Sequence, residues 1–181
     1  MSSAVKAPIA AGTWNIDPVH STVGFVVRHL MVSKVRGKFD TFSGAITIAE
    51  DGTPSVTAEI DVTSLDTNNA QRDAHIKSAD FFEVEQYPTA TFVSTSVEPK
   101  GDDWKLTGDF TLHGVTNSVT LDLEFLGTNP GMGQGEVAGF EATTTINRKD
   151  FGITIDMPLE GGGTVVSDKV TINLEIEATK A

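Results

Sequence analysis

The chain has no cysteine, one tyrosine, and only 13 basic residues against 25 acidic ones in a length of 181. Without cysteine there is no disulfide staple, thiolate nucleophile or Cys-ligated zinc, although the compartment is left open. The shortage of positive charge, 13 − 25 = −12 at pH 7 with no Lys/Arg run, argues against nucleic acid as a partner and against a surface that docks on anionic headgroups. No window approaches the roughly 18 consecutive apolar residues of a membrane-spanning helix. Residues 1–12 carry only short apolar pieces interrupted by Pro8, too little for a secretory signal. The expectation is a cytoplasmic protein with a flexible lead-in, residues 1–12, ahead of one domain, residues 13–181.

What the chain has in abundance is alternation. Val56, Ala58, Ile60 and Val62 alternate with polar residues, as do Trp104, Leu106, Phe110 and Leu112. The same holds for Val119, Leu121, Leu123 and Phe125, and for Val170, Ile172, Leu174 and Ile176. This period of two marks strands with one buried and one wet face. Weaker versions cover residues 20–28, 35–48, 88–97 and 136–147, which makes about eight strands. In 35–48 the apolar set shifts from odd to even positions, so a bulge is expected near residues 41–44. Asp51-Gly52, Gly101-Asp102, His113-Gly114 and Asn129-Pro130-Gly131 supply turn chemistry between successive strands. One helix is expected over 68–79, with Thr67 or Asn68 as its N-cap and Asp73 spaced to pair with Lys77.

Several strands run to about ten residues, and such long edges invite closure. The fold class is therefore all-β, a single closed antiparallel barrel of about eight strands with one helical insertion, just wide enough for packed side chains or one small ligand. The inward sets mix Phe110, Phe125 and Phe140 with Ala58, Gly108, Ala138 and Ala142, and both a filled and a hollow interior stay open.

The chemistry motifs fail one by one. His20, His29, His75 and His113 form no His-x-x-x-His pair, and His20-Ser21 lacks a nucleophile elbow. The glycines at 131, 133 and 135 lie between strands with no helix to receive a pyrophosphate, and those at 161–163 lack a Gly-Lys-Ser/Thr ending. Neither a catalytic constellation nor a metal or cofactor is called for. Among the few cations, Arg36, Arg72 and Arg148 are candidates to meet an anionic headgroup, although each also reads as an ordinary surface or strand-capping charge.

An ordered series of motifs then resembles the YceI-like family. It begins with Trp14-Asn15-Ile16-Asp17-Pro18-Val19-His20-Ser21, Arg28-His29-Leu30 and Val35-Arg36-Gly37-Lys38-Phe39. It continues through Ser64-Leu65-Asp66-Thr67, Arg72-Asp73-Ala74-His75, Asp80-Phe81-Phe82, Leu112-His113-Gly114-Val115-Thr116 and Asn147-Arg148-Lys149-Asp150-Phe151-Gly152. The resemblance implies a lipocalin-like barrel that binds a long-chain isoprenoid lipid, a polyprenyl chain or an isoprenoid quinone, without catalysing a reaction. Phe25, Phe39, Ile60, Phe92, Phe110, Leu121, Leu123, Phe125, Phe140, Ile172 and Leu174 would line the lumen, with His29, Arg36, Arg72, His75 and Arg148 as polar contacts. Two other readings stand beside it. One is an enzyme acting on a prenyl diphosphate-like amphiphile through His29, His75 or Arg72, although no acidic magnesium-binding cluster is visible. The other is a filled barrel working as a stress or interaction module through its acidic exterior. Oligomeric state is not set by the sequence, and a homodimer is among the states it allows.

Overall fold

Two-faced strands need a common interior, and rolling the sheet closed supplies one without leaving edges. The computed structural model describes residues 7–156 and 165–181. In chain order the elements are β1 (Gly12–Ile16), β2 (Thr22–His29), β3 (Ser33–Phe39), β4 (Phe42–Ile48), β5 (Pro54–Asp61), β6 (Leu65–Asp66), α1 (Ala70–Lys77), β7 (Thr89–Lys100), β8 (Asp103–Leu112), β9 (Val115–Asn129), β10 (Val137–Asn147) and β11 (Val166–Lys180). Single 3-10 turns occupy Val62–Ser64 and Arg148–Phe151. Strands β1, β4, β5, β7, β8, β9, β10 and β11 pair antiparallel in that order, and β11 returns to β1, so the barrel closes with eight strands.

The 15 residues of β11 outreach any single neighbour on one edge. Opposite β10, its first part pairs with β2 and its last residues with β1. Strands β1 and β2 are therefore two halves of one bent stave, and β3 and β4, which pair with β2 and β1 respectively, form the next. Ser21 fastens the first bend: its hydroxyl donates to the Glu177 carbonyl at 3.2 Å and accepts from the Glu177 amide at 3.0 Å. The second bend falls at Asp40 and Thr41, where Thr41 N–H donates to Ser64 Oγ at 2.9 Å. The expected bulge at 41–44 is absent: the shift of apolar parity comes from this break between β3 and β4, and residues 42–44 pair with β5 in regular register. The expected turns at 51–52, 101–102, 113–114 and 129–131 all join consecutive strands.

The helix is shorter than expected and capped one residue later. Asn69 accepts from Arg72 N–H at 2.9 Å, while Asn68, at φ 64°, turns the chain into the cap. Asp73 does not reach Lys77. It accepts from Thr67 N–H at 2.9 Å and from the Thr67 hydroxyl, which ties the helix back to β6. Strand β1 was not expected from the alternation, yet its Trp14 is fully buried and donates its indole N–H to the Ala10 carbonyl at 3.0 Å.

Packing concentrates at the two ends. Trp14, Ile46, Ile48, Ala138, Phe140 and Ala178 form the base, and Ile9 joins them. Within the stretch read as a lead-in, residues 7–11 lie across that base, with Ala7 N–H donating to the Gly52 carbonyl at 3.0 Å. The opposite end holds Val62, Phe81, Ala90, Leu112, Ile146, Phe151 and Ile153, beneath the segment that contains α1.

Candidate functional site: an apolar bore with a cationic end

Between the two packed ends the barrel is hollow. A cavity of about 190 Å³ occupies the base half, with Ala7, Pro8 and Ile9 in its floor, and one of about 230 Å³ lies toward α1. They share Phe25, Phe39, Ile60, Phe110 and Ile172, which form a waist between them. Apart from Ser43 and Thr144, the base cavity is lined by apolar and aromatic side chains and glycine. Arg28, His29, Arg72, His75 and Arg148 all border the other cavity. No carboxylate lines either one among the described residues, although the chain has 25 acidic side chains.

Ten of the eleven apolar candidates border this space. Phe25, Phe39, Ile60, Phe110 and Ile172 stand at the waist, and Phe92, Leu121, Leu123, Phe140 and Leu174 in the base cavity. Phe125 does not border it; it packs on Phe140 with ring centroids 5.4 Å apart. It keeps the inward parity of Leu121 and Leu123 but lies among the side chains that pack the base. Just beyond it the register shifts: Gly139 faces Gly127 while Phe140 faces Phe125, so Leu126 is the extra residue, 54% exposed. Val56, Trp104 and Leu106 also line the base cavity. Their alternation was as plain as that of the chosen set.

The small inward residues divide into three kinds. Ala58 and Ala142 leave space that the bore uses. Ala138 is packed into the base. Gly108 leaves none, because a Cβ there would stand 2.4 Å from Phe92 Cζ and 2.6 Å from the Val93 carbonyl oxygen; Gly37 is overlaid in the same way by Phe25, at 2.3 Å.

The polar candidates differ in how far they are already committed. Arg148 is almost wholly buried. Its Nη1 donates to the Ile153 carbonyl at 2.8 Å, its Nε to the Ser167 carbonyl at 3.1 Å, and its Nη2 reaches Asp168 at 3.3 Å. Arg72 bends back over the β6–α1 turn, with Nε donating to Thr67 Oγ1 at 2.8 Å and Nη2 to the Thr67 carbonyl at 2.6 Å. His75 meets Asp80 at 3.1 Å and lies edge-on to Phe81. Arg36 is not at the bore: it faces outward on β3 opposite Val26. Phe81 and Phe82 both border the α1-side cavity, Phe82 packing edge-on to Phe39 at 6.2 Å, so the pair seats the helical segment over that end.

One cluster able to ligate a metal exists among the described residues, and it lies away from the bore. At the β1–β2 bend, His20 Nδ1 stands 2.8 Å from Asp17 Oδ2 and 3.3 Å from Glu177 Oε2. The hydrogen bond that His20 Nδ1–H donates to Asp17, aided by the charges of Asp17 and Glu177, raises the His20 pKa above 6.5; the same bond, with that donated by Val19 N–H, lowers Asp17 below 3.8.

Taken together, these features define a closed antiparallel barrel built around an apolar bore that is cationic at one end and floored at the other. The chain belongs to the YceI-like family, whose domain it matches over residues 14–178. It is 45% identical over 159 residues to the protein YceI of Escherichia coli O17:K52:H18, covering 87% of this chain and 83% of that one. Among solved structures it is similar to BcnA of Burkholderia cenocepacia, with a TM-score of 0.78 at 24% identity over 91% of this chain and 99% of that one. A polyisoprenoid-binding domain from Saccharophagus degradans shares the fold, with a TM-score of 0.68 at 18% identity over 93% and 98% of the two chains.

Proposed function

We propose that this protein binds a long-chain isoprenoid lipid, a polyprenyl chain or an isoprenoid quinone, and stores or transports it without chemical change. The tail occupies the bore and the headgroup rests among His29, Arg72 and His75. The carrying observation is the distribution of polarity: an apolar lining, with no carboxylate among the described residues, runs from the floor to arginine and histidine side chains at one end. A lone phosphate or a quinone carbonyl suits that ring, because guanidinium and imidazole groups donate and oxygen accepts. The polyisoprenoid-binding domain of Saccharophagus degradans, which shares the fold, supports the ligand class.

The dimensions set a length. Along β11 the lining runs from Ile176 to Val166, ten residues. At about 3.3 Å per residue and a strand tilt of about 40°, that is roughly 25 Å of bore. Extended carbon chains advance about 1.25 Å per bond, so an isoprene unit takes about 5 Å and the bore takes about five units. Each unit gains about 4 kcal/mol on leaving water, at about 0.8 kcal/mol per carbon, so five units approach the ceiling of non-covalent affinity. A bilayer offers the tail almost the same burial, which keeps exchange with membrane near balance, as a carrier needs.

The test is extraction of protein purified without detergent, with mass spectrometry of the organic phase, and uptake of a radiolabelled prenyl alcohol by stripped protein. The Ala142→Phe variant puts a ring into the bore where Ala142 now leaves space. It is expected to stay folded and to carry no lipid. An empty extract together with no uptake by the parent protein overturns the reading. Its assigned compartment is the cytoplasm, which cell fractionation checks.

A further inference from the structure

We infer that the β2–β3 hairpin is a docking tip for anionic lipid bilayers, set beside the cationic end of the bore. Leu30, Met31 and Val32 form the connection, and they are 41%, 47% and 85% exposed. The other large apolar side chains that are exposed among the described residues, Val19, Val93, Leu126 and Met132, stand singly, as is ordinary on protein surfaces. Three in a row at the tip of a hairpin are not ordinary.

The backbone makes the choice of residues harder to explain by folding alone. Leu30 and Met31 have φ of 53° and 63°, and Val32 N–H donates to the His29 carbonyl at 3.2 Å, the pattern of a type I′ turn. That turn favours Asn-Gly, and bulky side chains there are strained. The chain carries Leu-Met at a position where folding and solubility both favour something small and polar.

Charge points to the partner. Four of the 13 basic residues, Arg28, Lys34, Arg36 and Lys38, fall within residues 28–38, a stretch with no acidic residue. Arg28, Lys34 and Arg36 are exposed and make no ion pair with any described residue, whereas Lys38 pairs with Asp40. The net charge of −12 thus hides a local cationic collar directly behind an apolar tip, the arrangement that inserts among acyl chains while basic side chains meet phosphate. Arg28 and His29, adjoining the tip, border the α1-side cavity, so docking would bring the open membrane surface to the charged end of the bore. Docking stands on these observations alone; its use as an entry route rests on the lipid-binding reading.

Flotation with phosphatidylglycerol-rich vesicles tests it. The parent protein is expected to float with them at low salt, to be released by high salt, and to leave pure phosphatidylcholine vesicles largely bare. Exchanging Arg28, Lys34 and Arg36 together for Gln is expected to weaken partitioning roughly a hundredfold, at about fivefold per cation. The double variant Leu30→Asn/Met31→Gly installs the favoured turn, so its melting temperature should equal or exceed the parent's while vesicle binding falls by at least about tenfold. The lumen-plugged Ala142→Phe protein should still float, so that a failure of docking and a failure of lipid binding are told apart. Absence of the parent from the floating fraction, undiminished flotation of the turn variant, or a homodimer that the turn variant converts to monomer would each overturn the inference.

Discussion

Arg148 is the sharpest place to separate a structural cation from one that holds a ligand. Replacing it with Met keeps the bulk and removes the fork. Two carbonyl oxygens then lose donors: that of Ile153, at 2.8 Å in a buried bond, and that of Ser167, at 3.1 Å in a half-buried one. Leaving a buried acceptor unpaired costs about 1–3 kcal/mol. Asp168 and Asp156 lie 3.3 and 3.7 Å from Nη2, but their side chains are 42% and 51% exposed, so water takes over most of their solvation and their share is small. The methionine also spares the cost of burying a cation, which offsets part of the loss. A net destabilisation of about 2–4 kcal/mol is expected, and for a domain of this size that is a fall in Tm of roughly 5–15 °C. Equilibrium unfolding in urea of lipid-stripped protein measures it, with an unchanged slope showing that the transition stays two-state. Arg148→Lys keeps the charge without the fork and should fall between parent and Met. A stability loss under about 0.5 kcal/mol, with lipid content abolished, would refute the reasoning and make Arg148 a headgroup clamp.

The remaining predictions concern other parts of the barrel. His20 should titrate by NMR with a midpoint above 6.5 that drops toward 6.5 in Asp17→Asn. Because the folded His20 pKa is raised, its contribution to the β1–β2 bend is complete below 6.5 and is lost as pH climbs through the raised value; that of Asp17, whose folded pKa is lowered, is present above 3.8 and is lost as pH falls through the lowered value. A midpoint at or below 6.5 contradicts this. Gly108→Ala should cost about 1–3 kcal/mol in chemical denaturation, since the new Cβ meets a backbone carbonyl as well as the Phe92 ring. Gly37→Ala should cost less, because the three nearest atoms are all in the movable Phe25 ring, and equal losses at the two sites would count against the distinction.

Much of the barrel can be read from alternation because alternation is what a closed sheet physically demands. Residues 119–125 and 170–176 sit in β9 and β11, and their inward positions were assigned by parity alone. Parity tells which face a residue takes but not how far along the barrel it stands. Phe125 has the inward parity of Leu121 and Leu123, yet it lies in the packed base against Phe140 rather than along the bore. Strand β1 was missed for another reason: five residues are too few to display a period, and Trp14 is held by Ile46 across β4 and by Ile9, contacts that only the closed barrel creates. The polar end was legible as a list of arginines and histidines, but not as a place. That Arg72 folds back on Thr67 depends on a cap at Asn69, one residue beyond the expected position, whereas Arg36 takes the outward parity that its place between Val35 and Gly37 gives it. Gly108 shows the reverse error, since a missing side chain reads as vacancy although a neighbouring ring has claimed the volume.

Residues 7–9 turn the barrel from a tube into a blind well. A guest in a blind well has one order of entry, tail first, and one order of exit. On the lipid-binding reading its polar terminus stays at the brim throughout, within reach of whatever molecule next acts on it. Depth then works as a gauge: a tail shorter than the well leaves the rim vacant, a longer one holds its own head out in water, and only a matching one brings head and rim together.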